Sequence, residues 1–276
     1  MTTVGVVTGA GRGMGRACAQ QLAGQVDTVL LVDRDPETVA AVAAELSAAD
    51  GVVAEPFVLD VTDDDGLARL AKRIAELGTL RSVAHAAGIS PTMADWRQIF
   101  TVDLVATARL AETLRPLVVE GTALVVFASM APMVYPTVPD PAWLTVLDDP
   151  LHERFLDRIH DVCGPDIEDT GLAYTLAKLG VHRFVWQEAV RLGPAGGRIC
   201  SVSPGIIDTP QGEQEADAQP VMAQLVEQTP LRRKGQAEDV ADVVVFALSD
   251  RARFLNGIDL LVDGGCYAAI RAQSAG

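Results

Sequence analysis

Short apolar runs rich in β-branched residues alternate with Ala-rich amphipathic stretches along the whole chain, a pattern that restricts it to repeated βαβ units. Strands are expected over Val4–Thr8, Thr28–Asp33, Val52–Leu59, Arg81–Ala86, Thr122–Ala128, Gly197–Ser201 and Ile258–Val262. Helices are expected over Gly13–Gly24, Pro36–Ala49, Asp63–Leu77, Ala94–Leu117, Ala173–Leu192 and Ala237–Leu248. Pro36 in a first helical turn and Thr62 followed by three aspartates are sound helix starts. Seven strands separated by helices imply one doubly wound parallel sheet, an α/β architecture that 276 residues can fill as a single domain.

The composition agrees with this architecture. At 49% hydrophobic and 21% charged residues the chain can bury a large core, which excludes disordered, collagen-like and disulfide-scaffold classes. With 22 Lys+Arg against 37 Asp+Glu, the formal charge of −15 argues against a nucleic-acid partner. The longest uncharged run, Gly121–Pro139, carries Pro132, Pro136 and Pro139, so no membrane segment is expected. No basic residue precedes Arg12, which speaks against a signal peptide. Cys18, Cys163, Cys200 and Cys266 are widely spaced and read as reduced thiols of a cytoplasmic protein.

Two segments break the alternation. Residues 131–171 are Pro-rich at first and then amphipathic, with Leu151, Phe155, Leu156, Ile159 and Val162 at helical spacing. Residues 210–230 are acidic and Gln-rich. Compact domains seldom keep long connections without a role, and both segments are expected to cover a substrate site.

In VGVVTGAGRGMGRACAQQLA, Gly9, Gly11, Gly13 and Gly15 fall between the first strand and the first helix. Glycines let a backbone approach a pyrophosphate, and the helix N-terminus behind them offers free N–H groups. Asp33, at the end of the second strand, stands where an acidic side chain holds an adenosine ribose diol. Its charge favours NAD over NADP, although Arg12 and Arg34 could each reach a phosphate.

TGAGRGMG, LDV (Leu59–Val61), HAAG (His85–Gly88), Ser129, YTLAK (Tyr174–Lys178), SPGIIDT and LVDGG follow one another in the order found in the short-chain dehydrogenase/reductase family, which the chain resembles over nearly its whole length. The insertion between Ser129 and Tyr174 makes it similar to bacterial 3α-hydroxysteroid dehydrogenase/carbonyl reductases in particular. The resemblance implies a single-domain, Rossmann-type fold and a homotetramer. It implies cofactor contacts from Gly9, Gly11, Arg12, Gly13, Met14, Gly15, Asp33 and Arg34, with Asp60 and Val61 at the adenine. Further contacts fall to Ala86, Ala87, Gly88, Tyr174, Lys178, Pro204, Gly205, Ile206, Ile207 and Thr209.

Tyr174 and Lys178 are i and i+4 on one helix and share a face. A free tyrosine is a poor base at neutral pH, and a neighbouring ammonium should draw its pKa down. Ser129 should hold the substrate oxygen while Tyr174 exchanges the proton. No Ser-His-Asp order or G-x-S-x-G elbow supports hydrolysis. The expected reaction interconverts a secondary alcohol and a ketone, and the apolar Met133, Tyr135, Trp143 and Leu144 suggest a bulky, steroid- or terpenoid-like substrate. Two positions depart from the family pattern: His85 replaces an Asn, and Asp103 stands where an Asn anchors a proton relay. They leave open a second reading, a nucleotide-binding regulatory protein with weak or no turnover. His152 and His160 lack the spacing of metal ligands, so no metal is expected.

Overall fold

The computed structural model describes residues 2–48, 52–135, 139–218 and 221–274. The first half alternates β1 (Thr3–Thr8), α1 (Gly13–Leu22), β2 (Thr28–Asp33), α2 (Pro36–Ser47), β3 (Val53–Val58), α3 (Asp64–Leu77) and β4 (Thr79–His85). Next come α4 (Trp96–Phe100), a π-helical turn (Thr101–Val105), α5 (Ala106–Leu114) and β5 (Ala123–Phe127). Three short helices follow, α6 (Ala131–Val134), α7 (Pro141–Leu147) and α8 (Phe155–Cys163), and then the long α9 (Thr170–Leu192) and β6 (Arg198–Pro204). The chain ends with β7 (Ile207–Asp208), α10 (Pro210–Ala218), α11 (Val221–Gln228), β8 (Gly235–Gln236), α12 (Ala237–Leu248), β9 (Asp259–Val262) and α13 (Cys266–Ser274).

Seven strands form one parallel sheet in the order β3-β2-β1-β4-β5-β6-β9. Alternate residues of each inner strand face opposite layers, as period-two geometry requires. Val4, Val6, Leu30 and Val32 join a core with Leu67 and Leu70 of α3, Phe100 of α4 and Val181 of α9. Val7, Val29 and Leu31 join a second core with Cys18 and Leu22 of α1, Val42 of α2 and Val244 of α12. Covered on both faces, β5 is buried along its whole length. Pro56 is tolerated because β3 is an edge strand. The chain reverses its winding direction between β1 and β4, and in such sheets a ligand crevice opens there, beyond the carboxyl ends of the strands.

The structure departs from the sequence reading in three places. The expected single helix over Ala94–Leu117 is broken by the π-helical turn, where Asp103 turns inward and its main-chain carbonyl accepts from Thr107 Oγ1 at 2.9 Å. β6 runs on to Pro204, because its distal half pairs with β9 as well as with β5. Residues 210–230 form α10 and α11 rather than an open loop, and β7 pairs with β8 to tie the two ends of the segment together. Residues 136–138 of the first irregular segment and 219–220 of the second lie outside the described residues.

In the first irregular segment, α8 buries Phe155, Ile159 and Cys163, an i, i+4, i+8 stripe, while Val162 is exposed. Trp143 Nε1 donates to the Val162 carbonyl at 3.1 Å and locks α7 onto α8. The pair extends the core beside Trp96 and Phe100. All four cysteines are free and buried, and no helix among the described residues is long and apolar enough to cross a membrane.

Candidate active site

A groove opens where the winding reverses, lined by Gly9, Arg12, Gly13, Met14, Gly15, Asp33, Arg34, Asp60, Val61, Ala86, Ala87, Gly88 and Thr209. Gly9 and Gly13 have φ of 67° and 55°, a left-handed backbone that glycine adopts without strain. A Cβ on Gly15 would run into the Gly9 carbonyl oxygen, so the first turn of α1 packs directly on the loop. Gly11 is buried behind the lining, and its N–H donates to Asp33 Oδ2 at 2.9 Å. Asp33 Oδ1 accepts from the Asp35 N–H at 3.1 Å, so two backbone donors fix the carboxylate at the mouth of β2. Asp60 Oδ1 is held by the Thr62 N–H and hydroxyl at 2.9 and 2.7 Å. A glycine cradle under a helix N-terminus, with an anchored carboxylate beyond it, fits a dinucleotide: the pyrophosphate on the loop and α1, a ribose diol at Asp33.

The groove continues into a cavity of about 410 Å³ that shares Met14, Ala86, Gly88 and Thr209 with it. Ser129, Tyr174, Lys178, Pro204, Gly205, Ile206 and Ile207 line this cavity. Ser129 stands just past β5, where its Oγ accepts from the Ala131 N–H at 3.1 Å and meets the Tyr174 hydroxyl. Asp169 accepts from the Leu172 N–H at 2.7 Å and caps α9, which places Tyr174 and Lys178 one turn apart near the helix start. Of the four apolar residues singled out in the sequence, only Tyr135 reaches the cavity. Trp143 and Leu144 pack against the core instead.

Lys178 is buried, with Nζ 3.1 Å from the Phe127 carbonyl oxygen and 3.5 Å from Asp103 Oδ1. The expected downward pull on Tyr174 is not found. Burial pushes its phenol above the usual tyrosine range, the carboxylates of Asp103 and Glu215 push it further, and only the Ser129 hydrogen bond opposes them. The Lys178 ammonium faces Asp103 and stands 5.6 Å from the Tyr174 ring centroid.

Asp103 is fully buried in the π-helical turn, and its Oδ1 accepts from the Ile89 N–H at 2.9 Å. Burial raises its carboxyl above the ordinary range, against the opposing charge of Lys178. Its Oδ2 is buried and has no hydrogen-bond partner among the described residues.

His85 lies behind this group in a closed relay. Thr107 Oγ1 donates to the Asp103 main-chain carbonyl, so at 3.0 Å it must accept from His85 Nε2. Nδ1 then accepts from the Thr8 hydroxyl at 2.7 Å, and Thr8 Oγ1 in turn accepts from the Ala87 N–H at 3.2 Å. Every donor and acceptor is satisfied only by a neutral imidazole protonated at Nε2. Burial, and next the charge of Lys178, lower its pKa to about 3.

The relay and Glu215 were not legible in the sequence. Glu215 sits on α10, lines the cavity and accepts a hydrogen bond from Ser90. The only hint was the acidic character of residues 210–230.

Two family models match the chain: "short chain dehydrogenase" over residues 3–138 and "Enoyl-(Acyl carrier protein) reductase" over 163–267. A cis-4-hydroxycyclohexanecarboxylate dehydrogenase of Sinomonas cyclohexanicum is 30% identical, the match covering 97% of each chain. A cyclohexanol dehydrogenase of Acinetobacter sp. is 29% identical over 95% of this chain and 93% of its own. A short-chain type dehydrogenase/reductase from Mycobacterium ulcerans superposes with a TM-score of 0.77 at 26% identity, covering 97% of this chain and 90% of the other. The chain belongs to the short-chain dehydrogenase/reductase family, oxidoreductases of CH–OH groups that use a nicotinamide dinucleotide. The Sinomonas cyclohexanicum and Acinetobacter dehydrogenases carry cyclohexane-ring alcohols in their names, not steroids.

Proposed function

We propose that the protein is an NAD(H)-dependent dehydrogenase/reductase that interconverts an alicyclic secondary alcohol and its ketone. One observation carries this reading: Ser129 and Tyr174 meet on the wall of a largely apolar cavity that is continuous with the dinucleotide groove. Pro91, Met130, Val134 and Leu225 add to the apolar lining, which suits a ring, with steroid- or terpenoid-sized substrates at the upper end of its capacity.

The bound nicotinamide supplies the hydride chemistry. Ser129 donates to the substrate oxygen, and Tyr174 gives or takes the proton at its hydroxyl. Lys178, fixed by the Phe127 carbonyl and Asp103, has one donor left for a ribose hydroxyl. A phenol held in its protonated form by burial and by two nearby carboxylates is suited to act as the acid, the role that carbonyl reduction needs.

Asp103 therefore belongs to the surroundings of the proton. Removing its charge favours the phenolate. Asp103→Asn should move the acid limb of kcat/KM for alcohol oxidation to lower pH, with activity kept within about tenfold. An unmoved limb places Asp103 outside those surroundings.

Asp33 supports the NAD preference, because its anchored carboxylate repels a 2′-phosphate. Asp33→Ser should narrow that preference, since Arg34 in the same groove would then face a phosphate unopposed. Tighter binding of NADPH than of NADH by the wild type, measured by calorimetry, overturns the assignment. A panel of cyclohexanols, hydroxysteroids and open-chain secondary alcohols, each with NAD⁺ and NADP⁺, tests the reaction itself. NADH binding with no turnover across that panel would return the regulatory reading, which the intact Ser129, Tyr174 and Lys178 do not favour. An oligomer, tetrameric by family resemblance, is supported by the exposed Trp186, Val190 and Phe254. Buried free thiols support a cytoplasmic location.

A further inference from the structure

Among the described residues, three ionisable side chains besides the phenols of Tyr135 and Tyr174 line the catalytic cavity: Asp169, Lys178 and Glu215. Asp169 is engaged in capping α9. Lys178, the single cation among them, is held between Asp103 and the Phe127 carbonyl. Arg12 and Arg34 line the dinucleotide groove and not the cavity. Glu215 remains, half-buried on the cover helix α10, oriented by Ser90 and close enough for its charge to act on Tyr174.

We propose that Glu215 is a specificity-determining residue that bars anionic substrates, so that the cavity takes an uncharged alcohol or ketone. A carboxylate or sulfonate entering the cavity would meet two acidic side chains and, among the described residues, no cation but Lys178, whose charge Asp103 already opposes. Like charges in a partly desolvated site repel strongly, and an unpaired charge set against one class of ligand is an efficient means of discrimination. Glu215 is half-buried in the cavity wall, so water screens its charge only in part. The inference rests on the reading of this cavity as the substrate site, and it separates the two cyclohexane-ring relatives, one named for an anionic substrate and one for a neutral one.

Cyclohexanecarboxamide and cyclohexanecarboxylate share ring and shape but differ in charge. Each is titrated at neutral pH into the NADH complex of the wild type, of Glu215→Gln, and of Glu213→Gln, whose side chain is exposed on the same helix. The wild type should prefer the amide at least tenfold. Glu215→Gln should cut that preference at least threefold, and Glu213→Gln should leave it in place. Equal binding of the two ligands by the wild type overturns the proposal, as does binding of neither or an unchanged preference in Glu215→Gln. If charge discrimination is found while no alcohol of the panel is oxidised, the reaction assignment fails and the role of Glu215 stands.

Discussion

Tyr174→Phe should lower turnover by about 10²–10⁴-fold, the usual contribution of a positioned acid–base group. Cofactor affinity should stay nearly unchanged. The ring keeps its place at the start of α9, and only the hydroxyl that meets Ser129 is removed. Lys178 keeps both of its partners, the Phe127 carbonyl and Asp103, because neither contact involves the phenol. Steady-state rates with NADH titrations on the same preparation separate the two effects. Turnover close to the wild type would dismiss Tyr174 as the proton carrier.

A comparably large effect is expected at the other end of the groove. In Gly15→Ala the new methyl group has nowhere to go but against the Gly9 carbonyl, a backbone atom that cannot swing aside. Gly9 cannot yield easily either: its φ is 67°, and a Cβ there would stand 2.9 Å from the Ala87 nitrogen. Overpacking of this kind costs about 1–3 kcal/mol. In a domain of this size that corresponds to a fall in Tm of roughly 2–10 °C. The displaced loop should weaken NADH binding at least tenfold. Binding within twofold of the wild type would mean that the loop does not carry the pyrophosphate.

These two ends of the site were legible in the sequence for the same reason. A glycine loop between a strand and a helix, or a Tyr and Lys one helical turn apart, fixes geometry through local backbone alone. What the sequence concealed depends on tertiary placement. The apolar spacing of residues 94–117 reads as one helix, since a 3.6-residue period does not register the wider turn at Thr101–Val105. Trp143 and Leu144 were read as part of a substrate cover but pack half-buried against the core, because an apolar pattern cannot say whether a face meets a cavity or the core. Glu215 was hidden in a segment read as an acidic loop. Its Ala, Gln and Glu residues are good helix formers, and the β7–β8 pairing gives that helix a fixed base. The upward shift at Tyr174 escaped because it comes first from burial and then from Asp103 and Glu215, which are distant in sequence and converge on it.

The His85 relay has a consequence for the conditions under which the protein can work. The relay spans the end of β1, the end of β4 and the π-helical turn, and it closes only around a neutral ring. An unfolded chain takes up this proton near the ordinary histidine pKa of about 6.5, whereas the folded chain resists it down to about 3. Between those limits the unfolded form binds the extra proton, so stability falls steadily as the medium becomes more acidic. Acid then acts on the protein twice, by titrating the reacting groups of the native state and by drawing molecules out of that state altogether. Part of the activity lost in acid is therefore lost together with the native state.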